Sequence, residues 1–215
     1  MKICEFCDEL NGVPTNRFRQ IYRDSIASRI VARTANFVAM PTIGQLFKGS
    51  LLIIPKRHVE TCANLELSEQ FELQEFISSL GRRIAPFGFP MFFEHGAIST
   101  SGGSCGIYHA HVHLVPLPSE IGPRLFFDNA FKSNSELIDA YRSLKGCENY
   151  LLMGDAEETV FAPAAEFSSM PPSQYFRKRL CEHFQLSRKW NWREACFPEN
   201  DLIETVRRFQ AADVT

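Results

Sequence analysis

The sequence lacks the features that would assign it to several common classes. Its longest purely apolar runs are as short as residues 51–54, which excludes a membrane-spanning helix. Residues 1–8 contain no apolar core of a signal peptide, so we expect no cleaved secretion signal. A net charge of −2, from 23 basic and 25 acidic residues, provides no global attraction to nucleic acid polymers or anionic membranes. A small anionic ligand in a local pocket remains compatible with this charge.

Cysteine usage and composition together indicate a folded protein in a reducing compartment. The seven cysteines are an odd number without an export signal, so we expect reduced thiols in the cytoplasm, some of them bound to a metal. The chain has 215 residues, of which 45% are hydrophobic and 22% are charged, a composition typical of a globular domain with an appendage. No internal repeat is apparent.

The hydrophobic pattern predicts an α+β fold whose first part is rich in strands. We expect a helix that begins at residues 67–69 and ends near residues 86–88, and strands at residues 30–34, 36–40, 50–55, 90–94 and 107–116. Residues 150–153 and 159–162 flank a turn and predict a hairpin, and further helices follow from residues 173 and 201. The sequence thus predicts a main domain, residues 1–135, with a hairpin-and-helix extension, residues 136–215, packed on it.

Three histidines alternate with apolar residues in the most informative segment of the chain. In a strand His109, His111 and His113 would project from one face at intervals of about 7 Å, while the residues between them enter a core. A single histidine there is usually a satisfied core residue, but three in this pattern have little packing rationale. Imidazole can be a nucleophile, a proton carrier or a metal ligand, so the array can divide these roles.

Two cysteines near the N-terminus have the spacing of a zinc-binding pair. Cys4 and Cys7 form a C-x2-C motif, in which two thiolates can bind one zinc ion. Such a pair alone is a weak signal, and a tetrahedral site needs two further ligands. His58, after the predicted strand at residues 50–55, is one candidate, and a member of the histidine array is another.

These motifs together resemble the histidine triad superfamily of nucleotide hydrolases and transferases. The segment Pro55-Lys56-Arg57-His58 precedes, by about fifty residues, the run His109-Ala110-His111-Val112-His113-Leu114-Val115-Pro116, and the H-x-H-x-H pattern is the family signature. The C-x2-C pair, Phe93-Glu94-His95-Gly96 and Gly103-Ser104-Cys105-Gly106-Ile107-Tyr108 resemble a zinc-bearing bacterial branch with a C-terminal extension. The resemblance covers residues 1–120 and implies a histidine-triad-like antiparallel sheet with flanking helices.

The resemblance implies a role for each residue of the motif. His111 would attack the α-phosphorus of a nucleotide and form a nucleotidyl-imidazole intermediate, and His113 would bind the phosphoryl oxygens. His109 would join Cys4, Cys7 and His58 on a structural zinc ion. The Ser/Gly loop before the array would supply backbone N–H groups to the equatorial oxygens.

Several positions depart from the common family pattern. Thr42 stands where many members carry an aspartate that binds the ribose hydroxyls. Cys105 and Gly106 replace a Gln-Ser or Gln-Thr pair, so side-chain help to the leaving group would come from Ser104 or from elsewhere in the site. We assign Thr42, Glu94, Cys105 and Gly106 to substrate binding. These changes leave the chemistry intact and the natural substrate open.

Two residues of the extension and one further histidine complete the set of candidates. Gln174 and Arg177 are three apart near the start of a predicted helix, where they can reach a substrate phosphate; the alternative is that Arg177 lies on a solvated face. His95 is either a group behind the active site or a loop residue.

The motifs predict an enzyme that cleaves at the α-phosphate of a nucleoside phosphoanhydride, phosphoramidate or dinucleoside polyphosphate. A diadenosine polyphosphate hydrolase-like activity is one form of this expectation. The alternatives are a nucleotidyltransferase with a phosphate or sugar-phosphate acceptor, and a nucleotide sensor without turnover. The family's transferase branch generally carries glutamine where His113 stands, which favours hydrolysis. The expected partner is a nucleotide, and homodimers are common in the family.

Overall fold

A computed structural model describes residues 4–22, 25–99, 106–127, 131–167, 170–187, 190–194 and 199–212. Within these residues, eight strands form one sheet: β1 (Ala32–Arg33), β2 (Phe37–Pro41), β3 (Leu51–Pro55), β4 (Phe89–Ala97), β5 (Val112–Leu117), β6 (Lys132–Asn134), β7 (Asn149–Gly154) and β8 (Thr159–Pro163). The α-helices are α1 (Glu5–Leu10), α2 (Arg17–Tyr22), α3 (Leu67–Ile84), α4 (Leu137–Leu144), α5 (Tyr175–His183) and α6 (Glu199–Ala212). The predicted α+β class is confirmed.

The sheet is antiparallel throughout, in the order β1-β2-β3-β5-β4-β7-β8-β6. Because side chains alternate across a strand, each central strand contributes to two faces. One face packs against α3 through Val112 and Leu114 of β5. The other face carries His113, and it packs further along the strand against α5. The candidate site lies on this second face.

Helix α3 begins where its sequence signals predict and ends at Ile84, two residues before the predicted stop near Pro86. The Glu69 carboxylate accepts a hydrogen bond from the Glu66 backbone N–H (2.9 Å), which satisfies one of the free donors at the helix start. The helix buries Leu73, Leu80 and Ile84 against the sheet. Phe71, which belongs to the same apolar pattern, is instead 53% exposed.

The predicted strand at residues 107–116 begins later than expected, at Val112. The Ala110 backbone N–H donates to the Val59 carbonyl (2.7 Å), outside the strand ladder, so the chain approaches β5 from another direction. Only His113 lies within the strand. The expectation of three imidazoles on one regular strand is therefore wrong in this detail, because His109 and His111 precede the strand.

The segment beyond residue 135 continues the same sheet. Strand β7 pairs with β4, and β6, which precedes residue 135, pairs with β8, which follows it. Helix α6 returns to the first part of the chain, where the Thr205 hydroxyl accepts a hydrogen bond from the Gly49 N–H (3.2 Å). Helix α4 and strand β6 were not predicted.

Among the described residues, no helix is long and apolar enough to cross a membrane.

Candidate active site

A cleft of about 800 Å³, open to solvent, lies on the second face of the sheet. The sheet contributes histidines and Phe93 to its floor, α1 contributes Phe6, and α5 contributes Phe176. Trp192, from the segment after α5, completes the aromatic lining. Apolar walls around a few polar groups are typical of a small-molecule site.

His111 occupies this cleft with one ring nitrogen already engaged. Its Nδ1 lies 2.8 Å from the backbone carbonyl oxygen of His109, which can only accept, so Nδ1 carries the proton and Nε2 the lone pair. Burial lowers the pKa of His111 and outweighs the opposing effect of this hydrogen bond. The imidazole is therefore neutral at pH 7, and Nε2 has no partner among the described residues.

His113 lies beside His111 and is held by an aromatic ring. The two imidazole centroids are 5.4 Å apart, closer than the spacing along a regular strand. The ring of Phe93, which faces His113 across the β4–β5 ladder, stacks on it at 4.5 Å with an interplanar angle of 11°. Burial is the main cause that lowers the pKa of His113, and the nearby His111 and Arg177 lower it further.

The predicted metal ligands Cys4, Cys7, His58 and His109 form one cluster, in which the donor atoms all lie within 4.8 Å of one another. His109 Nδ1 is 3.3 Å from Cys4 Sγ and 3.5 Å from Cys7 Sγ, and His58 Nδ1 is 3.4 Å from Cys7 Sγ. Zinc–ligand bond lengths in a tetrahedral site give an S···N separation of about 3.5 Å. This group could therefore hold a metal ion.

The surroundings of His109 prepare it to be a metal ligand. Its Nε2 lies 2.9 Å from the Pro55 carbonyl oxygen, so this nitrogen carries the proton and Nδ1 is left to face the two thiols. Burial lowers the pKa of His109 to about 4, which keeps the ring neutral. Phe6 of α1 touches both His109 (5.8 Å between centroids) and His111 (5.4 Å), so the cluster and the cleft share a wall.

Arg177 enters the cleft from α5 and is only 4% exposed, which excludes the solvated alternative. Its Nε donates to the Trp190 carbonyl and its Nη2 to the Gly44 carbonyl, both at 2.8 Å. No carboxylate pairs with it among the described residues, and burial lowers its pKa to about 10. A buried guanidinium without a counterion favours the binding of an anion.

Gln174 also lines the cleft and fastens the segment after α5. Its Nε2 donates to Asn191 Oδ1 (3.0 Å), and its Oε1 accepts from the Trp192 backbone N–H (3.2 Å). The residue has a left-handed backbone, with φ of 59°, at the point where α5 begins. Gln174 therefore positions Trp192 at the edge of the cleft.

The remaining sequence candidates fall in different places. Thr42 is buried in the cleft wall, where its hydroxyl donates to the Ser50 carbonyl (3.3 Å). Gly106 has a φ of 89° and accepts a hydrogen bond from Arg193 Nη2 at its carbonyl (2.8 Å). Ser104 and Cys105 lie outside the described residues.

Glu94 is not part of the cleft, and its assignment to substrate binding is corrected by the structure. It lies on the opposite face of β4, where its carboxylate accepts hydrogen bonds from the Cys62 backbone N–H (2.9 Å) and the Tyr150 hydroxyl (2.7 Å). Burial raises its pKa. Gly96, two residues further along β4, leaves room for the same tyrosine, because a Cβ at this position would lie only 2.2 Å from Cζ of the Tyr150 ring. Glu94 and Gly96 therefore support the sheet.

Sequence reasoning missed several residues that shape the cleft. Arg29 is 2% exposed and forms two 2.7 Å hydrogen bonds with the Glu9 carboxylate, a pair that joins α1 to the cleft wall. Phe6, two residues after Cys4, had no recognisable pattern of its own. Its proximity to the C-x2-C motif was the only available signal.

No protein-family model matches this chain, and no curated protein matches it. Solved structures are similar to it. A histidine triad nucleotide-binding protein from Sulfolobus tokodaii is 21% identical over 66% of this chain and 87% of its own, with a TM-score of 0.39. A HIT family hydrolase from Clostridium thermocellum is 20% identical over 57% and 96% (TM-score 0.37), and one from Legionella pneumophila is 23% identical over 53% and 91% (TM-score 0.36). These proteins carry the family name of the histidine triad.

Proposed function

We propose that this protein is a nucleotide hydrolase in which His111 attacks the α-phosphorus of a nucleoside phosphoanhydride. The observation that carries the proposal is the hydrogen bond from His111 Nδ1 to the His109 carbonyl. It fixes the tautomer and leaves Nε2 with a lone pair in the cleft. A buried neutral imidazole in this state is a suitable nucleophile at pH 7.

In the first step, a bond forms between Nε2 of His111 and the α-phosphorus while the bond to the leaving phosphate oxygen breaks. A water molecule then attacks the same phosphorus, and nucleoside monophosphate leaves His111 free again. This division into two displacements avoids a single difficult step. The second step breaks the bond between Nε2 and phosphorus, passes a proton of the attacking water to solvent, and returns the imidazole to its starting state.

Two groups support binding of the phosphates in this proposal. The neutral ring of His113, held by Phe93, can donate a hydrogen bond to a phosphoryl oxygen. Arg177 supplies the positive charge, because its guanidinium has no described counterion. We assign this cation to a phosphate on the leaving side, which favours phosphoanhydride and dinucleoside polyphosphate substrates over phosphoramidates. Gln174 and Thr42 complete the proposed substrate site.

We further propose that Cys4, Cys7, His58 and His109 hold a structural zinc ion. Four protein ligands close such a site, so the ion stabilises the fold and does not activate water. The cluster fastens α1, and with it Phe6, against the histidines of the cleft.

The decisive experiment is release of nucleoside monophosphate from diadenosine tetraphosphate, adenosine diphosphate and an adenosine phosphoramidate. The His111→Ala protein should lose turnover and retain its fold, while the His183→Ala control, at an exposed helix position, should remain active. A sugar phosphate acceptor that captures the nucleotide would instead identify a transferase. Wild-type turnover by His111→Ala would refute the covalent mechanism, and binding without turnover by the wild type would identify a sensor.

A further inference from the structure

His95 of β4 is a third histidine of the cleft, in addition to His111 and His113. It lies two residues after Phe93, so the two side chains project from the same face of β4. Phe93 stacks on His113, and His95 therefore faces the side of the sheet that carries the candidate site.

Both ring nitrogens of His95 are buried and lack a hydrogen-bond partner among the described residues. This separates His95 from the other histidines of the site, because His109 and His111 each donate to a backbone carbonyl. A buried polar group without a hydrogen-bond partner destabilises the fold, so an apolar side chain at this position would be more stable. The His95 imidazole therefore destabilises the fold, and its ring nitrogens are available to hydrogen-bond a ligand.

The protonation state of His95 defines what it can offer. Burial, together with the nearby His111, lowers the pKa of His95 to about 4. The ring is thus neutral at pH 7 and presents one N–H donor and one acceptor. A neutral ring is a poor source of a proton for a leaving group, but it can donate a hydrogen bond to an anionic oxygen.

We propose that His95 binds the phosphoryl group in transfer to His111 by donating its ring N–H to a non-bridging oxygen. The proposal rests on the hydrolase function proposed above, and it adds a donor from β4 to that of His113 on β5. Because His95 and His111 line the same cleft, a phosphoryl group on His111 would share that cavity with the unpartnered ring nitrogens of His95.

The test compares three variants with diadenosine tetraphosphate as substrate. His95→Phe removes both nitrogens and preserves an aromatic ring, His95→Asn keeps a donor, and His183→Phe is the matched control on the exposed face of α5. We expect His95→Phe to reduce kcat about 100-fold, as loss of one oxyanion donor does, with little change in KM. Its Tm should be equal to or above that of the wild type, His95→Asn should recover at least tenfold of the lost kcat, and His183→Phe should leave kcat unchanged.

A kcat of His95→Phe within threefold of wild type, in a preparation where His111→Ala is inactive, would overturn the inference and leave the hydrolase function standing. A loss of kcat that His95→Asn does not restore would also overturn it, because a packing role would explain that result. If His95→Phe does not fold, His95→Leu takes its place in the same comparison. Activity retained by His111→Ala would instead refute the proposed function itself.

Discussion

Replacement of Arg177 by methionine tests whether the buried guanidinium of the cleft binds substrate or only anchors the chain. Methionine has a similar length and no charge, so the change removes the cation and its hydrogen bonds while filling much of the space. The structure gives Arg177 two contacts, to the carbonyls of Trp190 and Gly44, and no described carboxylate. The anchoring role of Arg177 therefore affects the free energy of unfolding, the binding role affects kcat/KM, and the two can be measured separately.

The cost to stability follows from two opposing terms. Each hydrogen bond from the guanidinium is worth about 1.5–3 kcal/mol, and two are lost. Burial of the charge, which lowers the pKa to about 10, offsets this by about 3 kcal/mol, at about 1.36 kcal/mol for each pKa unit. Arg177→Met should thus lose about 0–3 kcal/mol of unfolding free energy, which lowers Tm by no more than about 12 °C in a chain of this size.

Arg177→Met should also reduce kcat/KM, independently of its effect on stability. One charged hydrogen bond to phosphate is worth about 1.5–3 kcal/mol, which corresponds to about a 10- to 100-fold loss of kcat/KM. The assay is steady-state release of nucleoside monophosphate from adenosine diphosphate at a temperature where the variant is folded, with denaturant unfolding in parallel. A folded Arg177→Met protein with wild-type kcat/KM would show that the guanidinium is an anchor alone.

Two further predictions concern the metal cluster and the opposite face of the sheet. Protein purified without chelator should contain about one zinc per chain, and Cys7→Ser should lose zinc and stability whereas Cys147→Ser, outside the cluster, should retain both, as measured by elemental analysis and thermal unfolding. A metal-free, fully stable wild type would contradict the first prediction. Glu94→Gln should leave turnover unchanged. Since burial raises the pKa of Glu94, the stability that its carboxyl contributes is present at low pH and is lost as pH rises through the folded pKa. In denaturant unfolding, the stability of the variant relative to wild type should therefore grow from the ordinary carboxyl range up to the folded pKa and then level off. Loss of turnover in the Glu94→Gln protein would show that Glu94 contributes to the active site after all.

Patterns that act over a few residues were sufficient to predict α3 and the β7–β8 hairpin. Apolar spacing and end signals determine both elements locally, and the structure changes their bounds by at most a residue or two. The members of the Cys/His cluster also agree with the structure, but the spacing of Cys4 and Cys7 alone left the other two ligands open. Only the family resemblance named His58 and His109 together.

Features that depend on contacts across the fold could not be predicted. The predicted helix left open whether Arg177 reaches a substrate phosphate or lies on a solvated face, and the approach of the Trp190 segment and the Gly44 loop buries it. The assignment of Glu94 failed because a family motif does not state which face of a strand a residue occupies. Alternation along β4 puts Phe93 and His95 in the cleft and Glu94 behind it, but this conclusion requires the β4–β5 register.

The walls of the cleft come from widely separated parts of the chain, and this has a consequence for protein synthesis. Phe6 is made early, His111 near the middle, and Trp192 close to the end, yet all three line one cavity. Because a ribosome adds residues in order, a nascent chain exposes His95 of β4 and His113 of β5 before the wall that encloses them exists. A chain whose translation stops after β8 would present this open face to solvent without the cation of α5. The cleft would therefore be completed last, in the final steps of folding.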